Sequence, residues 1–222
     1  IQWKCEAALI DRNPEYNMSD RKLLHLIDFE RGVININGIE YELLDKSYPT
    51  INPSDPYTLT EDEQEIIDQL HSSFVNSEKL KKHIYFLLQK GSFYLARNNN
   101  LMFHASIPLN EDGTFKNVRI MDEYYSGKKL LDRLDSLVQL ACRKSTEISE
   151  EKQYAIDYMW YLWCGADSPS FDKARMATFE RYLIDNKETH KEPKGFYYQL
   201  QNDEDVCINI LKEFGIEDEG SH

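Results

Sequence analysis

The sequence predicts an α+β fold that is mostly helical, with short antiparallel β-hairpins between the helices. Three observations indicate this fold. An Asn-Gly pair at 37–38 separates two segments in which apolar and polar residues alternate, and an all-Asn turn at 98–100 separates two more. Helix-capping residues at Thr60 and Ser149 each precede a long helical pattern. From Ser126 onward the pattern is mostly helical.

The first part of the chain reads as helical pieces followed by a hairpin. Residues 1–28 are predicted to be helical on both sides of a loop at Asn13-Pro14. Apolar residues then alternate with polar ones on both sides of the Asn-Gly pair. That pair supplies the positive φ values of a two-residue type I′ turn, which predicts a hairpin. Three prolines between residues 49 and 56 keep the next segment extended.

The middle of the chain is predicted to hold two helices and a second hairpin. Thr60 and Glu63 form a capping box, in which each side chain accepts a hydrogen bond from the other residue's backbone. Ser77 caps the next helix, which ends at Gly91. Residues 93–107 alternate around the Asn-rich turn and predict the second hairpin.

Four further helices are predicted in the C-terminal half. They run over Gly127 to Lys144, from a Ser149 cap to Cys164, over Asp172 to Ile184, and over Asp203 to Phe214. The second of them is apolar nearly all round, which predicts that its aromatic residues pack in the core; stacking on a sugar ring is the alternative. These residues are Tyr154, Tyr158, Trp160, Tyr161 and Trp163.

Charge and cysteine usage disfavour several classes of function. The 26 basic and 39 acidic residues give a net charge of −13, which argues against nucleic acid and anionic membrane surfaces as partners. An anionic substrate would need a local basic pocket. No apolar run is long enough to cross a bilayer. The four cysteines show no CxxC spacing, which favours free thiols in a reducing cytoplasm.

Five literal strings point to one family. The longest, from Tyr158 to Glu192, reads YMWYLWCGADSPSFDKARMATFERYLIDNKETHKE. The others are IQWKCEAALIDRNPEYNMSDRKLL, IDFERGVININGIEYELLDKSYPTINPSDPYTLTEDE, NNNLMFHASIPLNEDG and ILKEFGIEDEGSH. In content and order they resemble the bacterial class III fructose-1,6-bisphosphatases, manganese-dependent sugar phosphatases of the calcineurin-like metallophosphoesterase superfamily. The resemblance extends over essentially the whole chain.

The resemblance implies an enzyme that hydrolyses fructose 1,6-bisphosphate to fructose 6-phosphate and phosphate in gluconeogenesis. It implies two Mn²⁺ ions that activate water and clamp the reacting oxygens. It also implies a calcineurin-like α/β metallophosphatase with a helical cap or insertion. Residues 1–91 are then expected to form the helical and hairpin cap or insertion region. Residues 92–222 are expected to supply part of the phosphatase-domain strands and a C-terminal helical region.

His104 is the candidate metal ligand. It ends an apolar strand, and a neutral imidazole binds borderline divalent ions without adding charge. On the residues alone, a single histidine there is more often structural, because metal sites need several converging ligands. The resemblance matches His104 to the fourth of five family metal motifs, a strand followed by His-Gly. Ala105 stands in place of that Gly, and its methyl group is expected to crowd the backbone.

His222 receives no metal role. With Ser221 it resembles a Ser-His pair that the family places just upstream of a Gly-His metal motif, but that motif is absent. The closing Gly-Ser-His is equally well explained as an expression remnant.

A basic cluster inside the signature stretch is the candidate substrate site. Its members are Arg175, Arg181, Lys187, His190, Lys191 and Lys194. The resemblance implies a sugar bisphosphate whose uncleaved phosphate must be held by charge-assisted hydrogen bonds. We therefore predict that the substrate is bound by Arg181, Lys187, His190 and Lys191. Acidic residues are interleaved with them, and such mixed runs also form solvated faces with internal ion pairs.

The family's remaining metal motifs, Asp-x-His, Gly-Asp-x-x-Asp-Arg-Gly and Gly-Asn-His, do not occur in this sequence. No residue is therefore assigned a catalytic role, and the chain alone is predicted to be inactive and to bind no Mn²⁺. Because it begins at Ile1 without an initiator Met, we expect a piece of a longer cytoplasmic protein. The alternative is a non-catalytic cap, regulatory or oligomerisation module, with homo-oligomers formed through strand edges or helix faces.

Overall fold

In the computed structural model the described residues, 1–216, form two compact units. Unit 1 comprises Ile1–Ile84 and Met176–Glu192. Unit 2 comprises Tyr85–Arg175 and Pro193–His222, of which the residues up to 216 are described. The α+β prediction is confirmed, because helices predominate and every sheet among the described residues is small and antiparallel. None of the described helices is both long and apolar enough to cross a membrane.

The helices and strands are short relative to the chain. The helices are α1 (Gln2–Arg12), α2 (Glu61–Val75), α3 (Glu78–Lys90), α4 (Gly127–Cys142), α5 (Glu150–Cys164), α6 (Thr178–Leu183), α7 (Tyr197–Leu200) and α8 (Glu204–Glu213). The strands are β1 (Ile27–Asp28), β2 (Val33–Ile36), β3 (Ile39–Glu42), β4 (Tyr94–Arg97), β5 (Asn100–Phe103), β6 (Val118–Ile120) and β7 (Glu123–Tyr125).

The sheet of unit 1 is built on the predicted Asn-Gly hairpin. Strands β2 and β3 pair in a register that sets Ile36 opposite Ile39. Asn37 and Gly38 both have positive φ, +54° and +82°, as a type I′ turn requires. The Asn35 side chain accepts a hydrogen bond from the Gly38 amide at 2.9 Å. The first hairpin is therefore confirmed, and β1 adds a third strand that is too short for its pattern to be read from the sequence.

The core of unit 1 joins this sheet to α1 and α6. The Trp3 and Phe179 rings meet edge to face with centroids 4.9 Å apart. The Leu44 amide donates to the Leu183 carbonyl at 2.9 Å, which ties the end of the hairpin to α6. The buried apolar residues of this core are Leu23, Leu24, Ile27, Ile34, Leu43, Phe179, Leu183 and Ile184.

A buried ion pair fixes the start of α2. Lys4 Nζ lies 2.7 Å from Glu63 Oε2, and the two side chains are only 1% and 4% exposed. Lys4 also donates to the Thr50 carbonyl at 2.7 Å. Glu63 accepts a hydrogen bond from the Thr60 amide while the Thr60 hydroxyl accepts one from the Glu63 amide, which confirms the predicted capping box. One glutamate therefore caps α2 and anchors α1.

The apolar stripe of α2 is left uncovered by the rest of unit 1. Ile66, Leu70 and Phe74 recur at helical spacing and are 46%, 50% and 63% exposed. A stripe of this kind on a 15-residue helix is normally buried against a partner element.

Unit 2 is organised around the α4–α5 helix pair. Helices α4 and α5 pack against each other. The buried apolar residues of α4 are Leu130, Leu131, Leu134 and Leu137, and those of α5 include Ala155, Tyr158, Tyr161 and Leu162. The prediction that the aromatic block of α5 packs in the core holds for Tyr158 and Tyr161, which are 1% and 6% exposed. It is wrong for Trp163, which is 62% exposed.

Two hairpins flank these helices in unit 2. Strands β4 and β5 form the predicted second hairpin, with Tyr94 opposite Phe103. The hairpin of β6 and β7 was not predicted. Its turn is Met121-Asp122, with Met121 at φ +55°, and it lacks the Asn-Gly, Asp-Gly or Gly-X pair that usually predicts a two-residue hairpin turn.

The helix predicted from Asp172 onward is wrong in its first half, because α6 begins only at Thr178. Asp172 adopts φ +47°, a left-handed conformation that cannot belong to a right-handed helix. The Ala174 amide donates to the Pro193 carbonyl at 2.8 Å, and the Gly195 amide donates to the Asp172 carbonyl at 2.9 Å. These long-range hydrogen bonds replace the first turns of the predicted helix.

Candidate functional site

His104 lies directly after β5, and its side chain is exposed. The chain reverses at Ala105, which has φ +58°. The Ser106 amide then donates to the His104 carbonyl at 2.9 Å and to the Pro169 carbonyl at 3.0 Å. Unlike His104, Ser106 is fully buried. The imidazole therefore stands at the surface on a tight turn whose far end is fixed inside unit 2.

Replacing Ala105 with Gly is expected to stabilise the chain by about 1 kcal/mol. A left-handed alanine costs about 1–2 kcal/mol, and glycine cancels part of that gain because its unfolded state is more flexible. Urea unfolding of the two proteins measures the difference. Ala96→Gly in β4 is the matched control and is expected to destabilise by roughly 0.5–1 kcal/mol. Equal losses in both variants would contradict the assigned turn.

A metal ion requires more donors than this turn offers. Among residues 1–216, no three His, Cys, Asp or Glu side chains converge in a way that could hold one. His104 alone does not make a site for a divalent ion, which needs several ligands. The described residues therefore do not by themselves fit the pair of Mn²⁺ ions that the resemblance implies.

Asp172 is a buried carboxylate close to the His104 turn, and sequence reasoning did not single it out. Asp172 is only 5% exposed. Burial raises the pKa of Asp172, while the nearby Ser106 hydroxyl and the Lys116 ammonium oppose that rise. Lys116 itself pairs with Asp167 at 2.5 Å. No spacing in the sequence signals this group, because its burial depends on contacts distant along the chain.

Arg181 and His190 lie close together in unit 1 and make contacts within their own segment. The Arg181 guanidinium is 3.3 Å from Glu192 Oε1 and 3.5 Å from the His190 carbonyl. His190 Nε2 is 2.7 Å from the Ile184 carbonyl, so the His190 ring makes a hydrogen bond to the residue that follows α6. Of these contacts, the one between Arg181 and Glu192 is an internal ion pair of the kind that the alternative interpretation of this stretch expects.

Lys187 and Lys191 border a short 3₁₀ turn, Lys187–His190, in the same segment. Lys187 is exposed, and the Lys191 ammonium pairs with Glu188 on the surface. The structure brings all four predicted substrate-binding residues into one short region of unit 1. Their role in binding a phosphate stays a prediction.

The remaining candidates lie elsewhere. Arg175 and Lys194 belong to unit 2, where Lys194 Nζ stands 4.6 Å from the centre of the Tyr198 ring. His104 is also in unit 2, whereas the four predicted phosphate-binding residues are in unit 1. His222 lies outside the described residues.

The whole chain, residues 1–222, matches the family model described as Firmicute fructose-1,6-bisphosphatase. The chain is 55% and 54% identical over 222 residues to class 3 fructose-1,6-bisphosphatases of Bacteroides fragilis and Bacteroides thetaiotaomicron. A relative from Clostridium beijerinckii is 51% identical over 223 residues. Each alignment covers 100% of this chain and 33% of the relative, so the chain spans about a third of their length. No solved structure matches it.

Proposed function

Because the chain belongs to the Firmicute fructose-1,6-bisphosphatase family, we propose that it is part of an enzyme that hydrolyses fructose 1,6-bisphosphate to fructose 6-phosphate and inorganic phosphate. One observation carries this proposal: the full 222 residues align at 55% identity with a class 3 fructose-1,6-bisphosphatase. Since that alignment covers 33% of the relative, the active site is proposed to require polypeptide outside this segment.

The proposed contribution of this chain is one metal ligand and a phosphate-binding stretch. His104 is exposed at a strand end and is free of the hydrophobic packing that would make it a core residue. It would supply one imidazole nitrogen to a divalent ion, Mn²⁺ by the family resemblance. Arg181, Lys187, His190 and Lys191 would hold the phosphate that is not cleaved.

The ion pair of Lys191 with Glu188 would not prevent phosphate binding. The two side chains are 67% and 73% exposed, and an exposed pair of this kind contributes about 0–1 kcal/mol because water screens it. A phosphate dianion, which offers stronger charge-assisted hydrogen bonds, could therefore displace Glu188 from Lys191. Arg181 is 54% exposed, but its partner Glu192 is only 10% exposed, so phosphate would compete there with a half-buried pair.

A chimera tests the proposal. The matching third of the Bacteroides fragilis enzyme would be replaced by this chain, and phosphate release from fructose 1,6-bisphosphate would be measured with Mn²⁺. The chimera is expected to be active. The 222-residue chain alone is expected to release no phosphate above the blank. Gel filtration and circular dichroism of each protein establish that it is folded.

Two outcomes would count against the proposal. Phosphate release by the isolated chain would contradict the proposal that the active site requires polypeptide outside this segment. A chimera that folds but is inactive, when the parent enzyme is active in the same assay, would contradict the proposed reaction.

A non-catalytic module is the second candidate function. The uncovered apolar stripe of α2 favours it, because such a surface suits packing against another part of a larger protein. In that case the chimera would still be active, but its activity would not depend on His104.

A further inference from the structure

Two non-glycine residues in left-handed conformations lie in segments that meet beside His104. Ala105 has φ +58° in the first segment, and Asp172 has φ +47° in the second. The amide of Ser106 crosses to the Pro169 carbonyl and joins the two segments. A left-handed alanine costs about 1–2 kcal/mol and persists only where the surroundings enforce it, whereas aspartate adopts this conformation more readily. The conformation of Ala105 therefore indicates that neighbouring residues impose the shape of its turn.

Asp172 is held firmly in place by its backbone and by Gly195. Its amide donates to the Ser168 carbonyl at 2.8 Å, and its carbonyl accepts from the Gly195 amide at 2.9 Å. A Cβ atom at position 195 would lie 2.0 Å from Asp172 Oδ1, so only glycine leaves room for the carboxyl group. The carboxyl group of Asp172 thus lies against the backbone of Gly195 and is shielded from solvent.

Two oxygen atoms in this place lie near each other, and within the described residues neither makes a hydrogen bond of ordinary length. They are Oγ of Ser106 and Oδ2 of Asp172. Ser106 is fully buried and Asp172 is 5% exposed, so both oxygens are withdrawn from solvent. Leaving a buried polar group unsatisfied costs about 1–3 kcal/mol, and such groups in native proteins call for a specific explanation.

A hydrogen bond between Ser106 and Asp172 would account for both oxygens. A carboxylate accepts hydrogen bonds and a serine hydroxyl donates one, so a rotation about χ1 of Ser106 or one bridging water would satisfy both. Ser106 is two residues from His104 and shares the Ala105 turn with it. A hydrogen bond to the Ser106 side chain would therefore fix one end of the turn that carries His104.

We propose that Asp172 is a positioning residue that sets the orientation of the His104 imidazole through the Ser106 hydroxyl. The effect on catalysis rests on the proposed function, whereas the effect on the imidazole does not. The loop that contains Asp172 would then support His104, although the two residues are more than 60 positions apart along the chain.

The orientation of His104 can be followed by NMR in the full 222-residue chain. Asp172→Ala is expected to shift the His104 imidazole resonances and to lower the hydrogen-exchange protection of the Ser106 amide, because the turn loses the group that fixes its far end. Asp172→Asn has the same shape and is expected to restore both signals. Asp122→Ala, at an aspartate of unit 2 whose side chain is 95% exposed in the turn between β6 and β7, is the control of equal charge and is expected to leave both unchanged.

Ser106→Ala keeps the test decisive if Asp172→Ala does not fold. It removes only the hydroxyl group and is expected to shift the same resonances in the same direction. Unmoved His104 resonances in Ser106→Ala and in any folded Asp172→Ala protein would overturn the inference. In the chimera, Asp172→Ala is expected to lower kcat by about tenfold with little change in KM. An inactive chimera with shifted resonances would refute the proposed function and leave the positioning role standing.

Discussion

Replacing Lys4 with Met is expected to destabilise unit 1 by about 3–5 kcal/mol, because it leaves the Glu63 carboxylate buried without its partner. The side chains of this pair are only 1% and 4% exposed, so water cannot take over the lost interaction. The unfolding of unit 1 can be followed by the fluorescence of Trp3 in urea, with Trp160 and Trp163 replaced by Phe. Lys81→Met breaks the exposed pair with Glu78 and is expected to cost about 0–1 kcal/mol.

The same pair makes stability depend on pH in a defined direction. Burial alone would raise the pKa of Glu63, but hydrogen bonds from Lys4, Thr50 and the Thr60 backbone lower it to about 2, below its usual 4.5. A lowered pKa means that the stabilisation is complete above pH 4.5 and is lost as the pH falls toward 2. The stability difference between the native chain and Glu63→Gln should shrink over that range. A difference that is constant with pH would contradict the charged pair.

Replacing His104 with Asn in the chimera is expected to lower kcat/KM at least about 100-fold, equivalent to about 2.7 kcal/mol of lost transition-state stabilisation. Asn keeps a polar side chain at the surface but removes the imidazole nitrogen. The Mn²⁺ concentration for half-maximal activity is expected to rise as well. Both quantities follow from phosphate release at varied substrate and metal concentrations.

The matched control for this variant is His71→Asn, at an exposed histidine on α2 in unit 1. It should leave kcat/KM and the Mn²⁺ requirement unchanged. If His104→Asn behaves like His71→Asn in an active chimera, His104 is not a ligand. The chain would then be better described as a non-catalytic module of the larger enzyme.

Local signals in the sequence predicted most of the elements. The capping box of Thr60 and Glu63 and the cap at Ser149 both open helices where expected. The Asn37-Gly38 turn forms the hairpin it predicts. Each of these signals acts over about four residues, so a distant contact does not override it. The strand-end position of His104 follows from the same local pattern.

Features that depend on distant contacts could not be read from the sequence. Asp172 lies in a stretch with a helical pattern, but hydrogen bonds to residues 193 and 195 hold it in another conformation. Its burial beside Ser106 joins segments that are far apart along the chain. The exposure of Trp163 could not be predicted either, because an aromatic helix face has the same sequence pattern whether or not a partner covers it.

The tip of the first hairpin has a practical consequence. Nothing lies within 4 Å of where a side chain at Gly38 would begin, so the turn projects into open space. Exposed tight turns are the places where inserted peptides are tolerated best. A short epitope placed there would let an antibody fragment mark this segment in electron micrographs of the proposed larger enzyme, and so locate unit 1 within it.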